Sequence, residues 1–263
     1  MLGKYRITRR IATGGFAEVY EARDTIEGVD VALKMPHATL IGPRVLDDFR
    51  REVRLMAKLD HPHILPIKNA DFIDRRFIVV YPLGERSLAD RMRYRISTRT
   101  VFQFMEQMLD SLAHAHRRHV IHCDIKPENF ILFAQNHLRL ADFGIAKIAF
   151  RTMSASGSGT VGYISPEQAL GRPSKSSDVF SLGLVFYQML TSELPRWPFE
   201  WPPPNHQALR RKFPPEGIEI IRRAIEVDTR HRYSDANQMH RAFQRMKDEI
   251  ASSPRRRRRW LQP

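Results

Sequence analysis

His122-Cys123-Asp124-Ile125-Lys126-Pro127-Glu128-Asn129 packs a carboxylate, a histidine, a cation and an amide into eight residues. Pro127 has no amide hydrogen and would distort a helix, so the segment predicts a shaped loop. Eighteen residues after Asp124 comes Asp142-Phe143-Gly144, with the apolar run Phe130-Ile131-Leu132-Phe133 between them. Asp142 and Asn129 offer hard oxygens suited to Mg²⁺, which usually keeps waters and substrate phosphates in its shell. Asp124 can accept a proton, and Lys126 can neutralise charge on a transferred group. Taken singly each is a turn residue or a surface charge. Together they point to chemistry at a phosphate.

Upstream, Tyr5 to Ile11, Glu18 to Ala22 and Val29 to Lys34 read as strands, the last alternating cleanly. Between the first two lies Ala12-Thr13-Gly14-Gly15-Phe16-Ala17, whose glycines would let backbone amides come close to a phosphate. Leu46 to Leu59 carries Phe49, Val53, Met56 and Ala57 on one helical face. Glu52, eighteen residues beyond Lys34, is placed on that helix to hold the lysine in an ion pair. Phe77 to Tyr81 is a short apolar strand broken by Pro82-Leu83-Gly84. Downstream, Val101 to His116, Val179 to Leu190, Ile218 to Val227 and Ala236 to Ile250 predict helices. The expected fold is therefore α+β and bilobal. A small strand-rich lobe (about 1–80) joins a larger helical lobe (about 85–250) through a connector at about 80–84, leaving a cleft suited to a ligand.

Composition narrows the classes. The chain has 263 residues, 42% of them hydrophobic, which excludes wholesale disorder. Cys123 is the single cysteine, which excludes a disulfide scaffold. No apolar stretch reaches the roughly 18 residues of a spanning helix, and no secretory leader is evident. A soluble protein of a reducing compartment, the cytoplasm, is expected. The net charge of +14 includes five consecutive arginines, Arg255 to Arg259. That run predicts a basic, disordered tail over 251–263, with weak salt-sensitive contact to anionic surfaces as its functional reading. The proline- and tryptophan-rich stretch from Pro195 to Pro204 predicts a stiff loop packed on the large lobe, ahead of a partner-docking strip.

These motifs, in this order over residues 1 to about 250, resemble the protein kinases of the eukaryotic type, specifically the serine/threonine branch found also in bacteria. The resemblance implies ATP and Mg²⁺ (or Mn²⁺) as cofactors and protein substrates with Ser/Thr acceptors. It implies an ATP site built from Ile11, Ala12, Thr13, Gly14, Gly15, Phe16, Ala17, Glu18 and Val19. Val19, Ala32 and Ile131 would sandwich the adenine, with Val80 and Tyr81 near the connector. Lys34, paired with Glu52, would contact the α- and β-phosphates. Asp124 would be the catalytic base, Lys126 would steady the γ-phosphoryl group, and Asn129 and Asp142 would hold the metal. Thr160 would line the acceptor side. Glu167 would pair with a buried Arg232, and Asp178 would brace the catalytic loop.

Three positions depart from that pattern. The phosphate loop reads Ala12-x-Gly14-x-x-Ala17 where the family prefers three glycines, implying a stiffer loop. Cys123 stands where an arginine usually precedes the catalytic aspartate, so phosphate control of the loop carrying Thr152, Ser154, Ser156 and Ser158 loses its usual contact. The third is the unusually proline- and tryptophan-rich stretch from Pro195 to Pro204; Ser165-Pro166-Glu167 stands where Ala-Pro-Glu is usual. Two rivals follow from the residues. One is a binding module that has lost transfer, which intact Lys34, Asp124, Asn129 and Asp142 oppose. The other is a small-molecule kinase, which the Gly159 to Glu167 segment opposes.

Overall fold

The computed structural model describes residues 1–15, 17–37, 43–143, 161–195 and 198–260. The small lobe is an antiparallel sheet in the order β1 (Tyr5–Thr13), β2 (Ala17–Asp24), β3 (Val29–Pro36), β5 (Arg76–Pro82) and β4 (Asn69–Ile73), accompanied by helix α1 (Pro43–Met56). Side chains alternate across a strand. On β3, Val31, Leu33 and Met35 therefore turn into an apolar cluster with Tyr5, Ala22, Ile78 and Val80. Ala32 and Lys34 take the other face, which looks toward the large lobe.

The large lobe begins with β6 (Arg86–Ser87), α2 (Leu88–Met92) and α3 (Thr98–Arg117). Strands β7 (Phe130–Phe133) and β8 (His137–Leu140) complete a three-stranded sheet with β6. Then come α4 (Pro166–Ala169), α5 (Lys175–Thr191), α6 (His206–Lys212), α7 (Pro215–Ala224) and α8 (Ala236–Ser252). Helix α5 is buried on nearly every side, from Val179 through Tyr187. A helix apolar all round has no solvent face, and here it forms the axis of the lobe. Beside it, Phe199 stacks near Phe180 and Trp201 packs edge-on to Tyr187 and His206. The proline-rich loop thus packs on the lobe through Phe199 and Trp201.

Among the described residues the backbone connects the lobes at two places. The chain itself crosses at 82–86. Separately, segment 62–65 lies along β8: His137 Nε2 donates to the Pro62 carbonyl (2.9 Å) and His63 Nδ1 to that of Leu138 (3.1 Å). Leu140 N donates to the His63 carbonyl and Leu65 N to that of Leu140, both at 2.9 Å.

Two expectations need revision. Strand β4 was not read from the sequence, because Asn69-Ala70-Asp71-Phe72-Ile73 is a polar edge strand with only partial burial. The tail from 251 is not disordered as far as Trp260: Pro254–Trp260 forms a further helix, α9. Its Trp260 is 7% exposed within the large-lobe core, and Arg256 pairs with Glu216 at 2.6 Å. The arginine run hid this because the anchor is one aromatic residue beyond it. Replacing Trp260 with Ala should lower stability by about 3 kcal/mol, as for other buried large-to-small changes, and truncation after Ser253 should do at least as much. Denaturant midpoints of the two variants against the parent check this.

Candidate active site

The loop at 122–129 is held by buried polar contacts. Asp178, in the first turn of α5 and 1% exposed, accepts from the backbone amides of His122 and Cys123, both at 2.8 Å, and from His116 Nε2 at 2.9 Å. A carboxylate at a helix N-terminus also gains from the aligned peptide dipoles. His122 is buried, and its Nε2 donates to the Ala141 carbonyl at 2.8 Å, since a carbonyl can only accept. Its Nδ1 is then the acceptor for the Asp124 amide at 3.2 Å. The loop and the residue before Asp142 are thereby fixed to each other.

On this frame the chemistry-bearing side chains converge. Lys126 Nζ lies 2.9 Å from Asp124 Oδ2. Asn129 Nδ2 donates to the same carboxylate oxygen at 2.9 Å and to the Asp124 carbonyl at 2.7 Å. Lys34 Nζ, from the small lobe, lies 2.6 Å from Asp142 Oδ1. Burial pushes the Asp142 carboxyl up, but the charge and hydrogen bond of Lys34 prevail and hold it below the ordinary carboxylate range. Asp142 stays partly open, its side chain 36% exposed. Asn129 spends its nitrogen on Asp124, leaving its amide oxygen for a cation. An ionised carboxylate and an amide oxygen, side by side in a cleft, fit a hard divalent ion whose other ligands come from substrate. Among the described residues no cluster of three or more His, Cys, Asp or Glu could hold a metal unaided.

The apolar part of the cleft contains Tyr81, Val79, Leu65 and Ala141, with Ala32 and Ile131 against them. Gly84 permits that arrangement: a Cβ there would fall 2.2 Å from Ile131 Cγ2. Val80, expected here, turns its side chain into the small-lobe interior, as alternation along β5 requires. Val79, paired with Lys34 across the sheet, joins Ala141 in this cluster instead. Ile11, Ala12 and Thr13 end β1, and Ala17, Glu18 and Val19 open β2, with Ala12 opposite Val19 and Thr13 opposite Glu18. Glu18 is engaged by Arg10 and Tyr20. At the turn Gly14 N donates to the Ala17 carbonyl at 2.9 Å. Among the described residues, a Cβ on Gly14 would meet only that carbonyl oxygen within 4 Å, at 3.4 Å, and one on Gly15 none. Packing against the described residues therefore does not demand these glycines. Phe16 and Thr160 lie outside the described residues, as do Gly144, Thr152, Ser154, Ser156 and Ser158 and the side chain of Glu52.

Glu167 and Arg232 meet in the large lobe. Arg232, with its side chain fully buried, donates from Nη1 to Glu167 Oε1 at 2.7 Å and to the Ser176 carbonyl at 2.9 Å. Its Nε and Nη2 reach the Glu226 and Val227 carbonyls, and its guanidinium sits 4.8 Å from the Phe180 ring centre. Ser177 Oγ, part of the box that caps α5, also donates to Glu167 at 2.7 Å.

A protein kinase domain family model matches residues 5–244, and the chain belongs to that family. It is 37% identical over 204 residues to a probable serine/threonine-protein kinase, pknA2, of Bifidobacterium longum, covering 73% of this chain and 27% of that protein. It is 33% identical over 258 residues to the serine/threonine-protein kinase PrkC of Bacillus subtilis, covering 90% of this chain and 39% of the other. Against the serine/threonine-protein kinase PknA of Mycobacterium tuberculosis identity is 35%, over 73% of this chain and 48% of that one. The chain thus spans about a quarter to a half of the length of these relatives. The fold is shared with the crystal structure of the M. tuberculosis PknI kinase domain, at a TM-score of 0.71 and 21% identity over 93% of this chain and 96% of that one. Family membership implies use of ATP and a divalent metal. Among the described residues no helix is long and apolar enough to cross a membrane.

Breaking a buried ion pair from one side leaves an uncompensated charge, so Arg232→Leu should cost about 3 kcal/mol of stability. Burial raises the Glu167 pKa, but bonds from Arg232 and Ser177 outweigh it and the net shift is downward from 4.5. A depressed folded pKa gives stability that is present above 4.5 and is lost as pH falls through the lower folded value. Glu167→Gln should flatten that acid limb, read from urea midpoints across it.

Proposed function

We propose that the chain is an ATP- and Mg²⁺-dependent protein serine/threonine kinase that transfers the γ-phosphoryl group of ATP to Ser or Thr hydroxyls of protein substrates. The observation that carries this reading is the meeting of Asp124, Lys126 and Asn129 from one loop with Lys34 and Asp142 across the cleft. Phosphoryl transfer asks little covalent chemistry of a protein; it asks for positioning and for charge to be met. The acceptor oxygen bonds to the γ-phosphorus as the bond to the β,γ-bridging oxygen breaks, and ADP departs with that oxygen. The hydroxyl proton passes to a carboxylate oxygen of Asp124, the catalytic base. Lys126, beside that carboxylate, offsets charge on the moving phosphoryl group, and Lys34 holds the α- and β-phosphates. Asn129 and Asp142 would hold Mg²⁺, or Mn²⁺ as a substitute with the same preference for oxygen, which would supply positive charge beside the phosphates.

Around that centre, Ile11 to Glu18 cover the phosphates, and Val19, Ala32, Ile131 and Tyr81 line the adenine with the backbone at Val80. Glu52 steadies Lys34, Thr160 lines the acceptor side, and the Glu167–Arg232 pair and Asp178 keep the supporting loops in place. Residues 1–250 act as the kinase domain, in the cytoplasm. The Arg255 to Arg259 run, carried on the anchored α9, adds weak contact with anionic surfaces.

Asp124→Asn and Asp142→Asn should each lower the initial rate of transfer from labelled ATP to a Ser/Thr peptide by about 100-fold or more. They differ in binding: Asp124→Asn should retain nucleotide, whereas Asp142→Asn should weaken metal-dependent nucleotide affinity. Near-parental turnover in either would overturn the reading.

A further inference from the structure

Gln168 lies in α4 and is 2% exposed, and its Nε2 donates to the carbonyl oxygen of Cys123 at 2.6 Å. That carbonyl belongs to the peptide joining Cys123 to Asp124. A peptide unit is planar, so fixing its two ends fixes the plane. The other end is the Asp124 amide, which donates to His122 Nδ1. The preceding amide, Cys123 N, is held by Asp178. Cys123 has φ of 66°, in the left-handed region that a residue with a Cβ adopts only when its surroundings dictate it. Three side chains, from α5, from the loop itself and from α4, therefore set the direction in which the Asp124 side chain leaves the backbone.

We infer that Gln168 is a positioning residue for Asp124, coupling the segment 163–168 to the catalytic loop through the Cys123 carbonyl. The inference rests on the kinase reading of Asp124. Position 123 carries no charge, and the contact that Gln168 makes there is with the backbone carbonyl. The segment it joins is itself tethered: Tyr163 O accepts from Ser181 Oγ at 2.7 Å and Glu167 is held by Arg232. The coupling thus runs from the core of the large lobe to the reacting carboxylate without a charged group at position 123. The remaining acceptor of Gln168, Oε1, is buried with no hydrogen-bond partner among the described residues. Among the described residues, the amide's hydrogen bonding is through its donor end.

The test compares Gln168→Met, which fills the space without a donor, with Gln168→Glu, which donates only when protonated. Gln168→Met should lower kcat by ~10-fold with KM for ATP little changed, because misdirecting a reacting group slows the chemical step more than binding. It should also raise hydrogen exchange at the amides of 123–125, a readout independent of turnover. Gln168→Glu should regain kcat relative to the parent as pH falls from about 7.5 to about 5.5, since burial raises a carboxyl pKa. Should the Met variant fail to fold, the Glu profile decides alone: recovery at low pH supports the coupling and a flat ratio overturns it. Parental kcat and parental exchange in Gln168→Met would also overturn it. A parent with no transfer activity would instead refute the kinase reading, and the exchange measurement would then decide whether Gln168 orders the loop.

Discussion

A carboxylate buried inside a protein must have its charge and lone pairs met, and Asp178 meets its needs with the backbone of the catalytic loop. Two successive amides, of His122 and Cys123, and the ring of His116 all turn toward it. His116 in turn accepts from the amide of Ala236 through Nδ1, so the same knot gathers α3, α5 and the start of α8. Removing the acid would orphan donors in three places at once. The loop's shape is thus a consequence of satisfying one buried anion, and the reactive side chains stand where that shape leaves them.

From this knot the rest of the site follows in layers. His122 ties the loop to Ala141 and hence to Asp142, which meets Lys34 from the other lobe. The cation and the anions needed at a phosphate come from two lobes, yet each is set by an element with its own core. Lys34 is aimed by the alternation of β3, whose other face is apolar. Asn129 sits at the entry to β7, and its backbone accepts from the Ala141 amide at 2.8 Å.

Much of this was legible in the sequence because the chemistry is compact. Asp124, Lys126 and Asn129 fall within six residues, and the alternation around Lys34 is clean. Helix α5 announced itself through an apolar run long enough to need burial throughout. What stayed hidden depends on contacts between distant segments. Gln168 looks like any polar helix residue until the Cys123 carbonyl is placed above it. Val80 and Val79 are the same residue type, and only the pairing of β5 with β3 decides which one faces the cleft. Trp260 follows five arginines, whose charge argued for solvent while a single indole decided for the core. The polar edge strand β4 carries too little apolar patterning to separate it from a loop.

The double fastening of the lobes has a mechanical consequence. A body held to another at one flexible point can swing in any direction; held at two, it can only turn about the line through both. The covalent crossing at 82–86 and the hydrogen-bonded strip of 62–65 against 137–140 are such a pair of pins. A rotation of the lobes about that line would open the mouth of the cleft while its back stayed shut. Lys34 would travel along one arc relative to Asp142, so the approach of the two charges becomes a single coordinate.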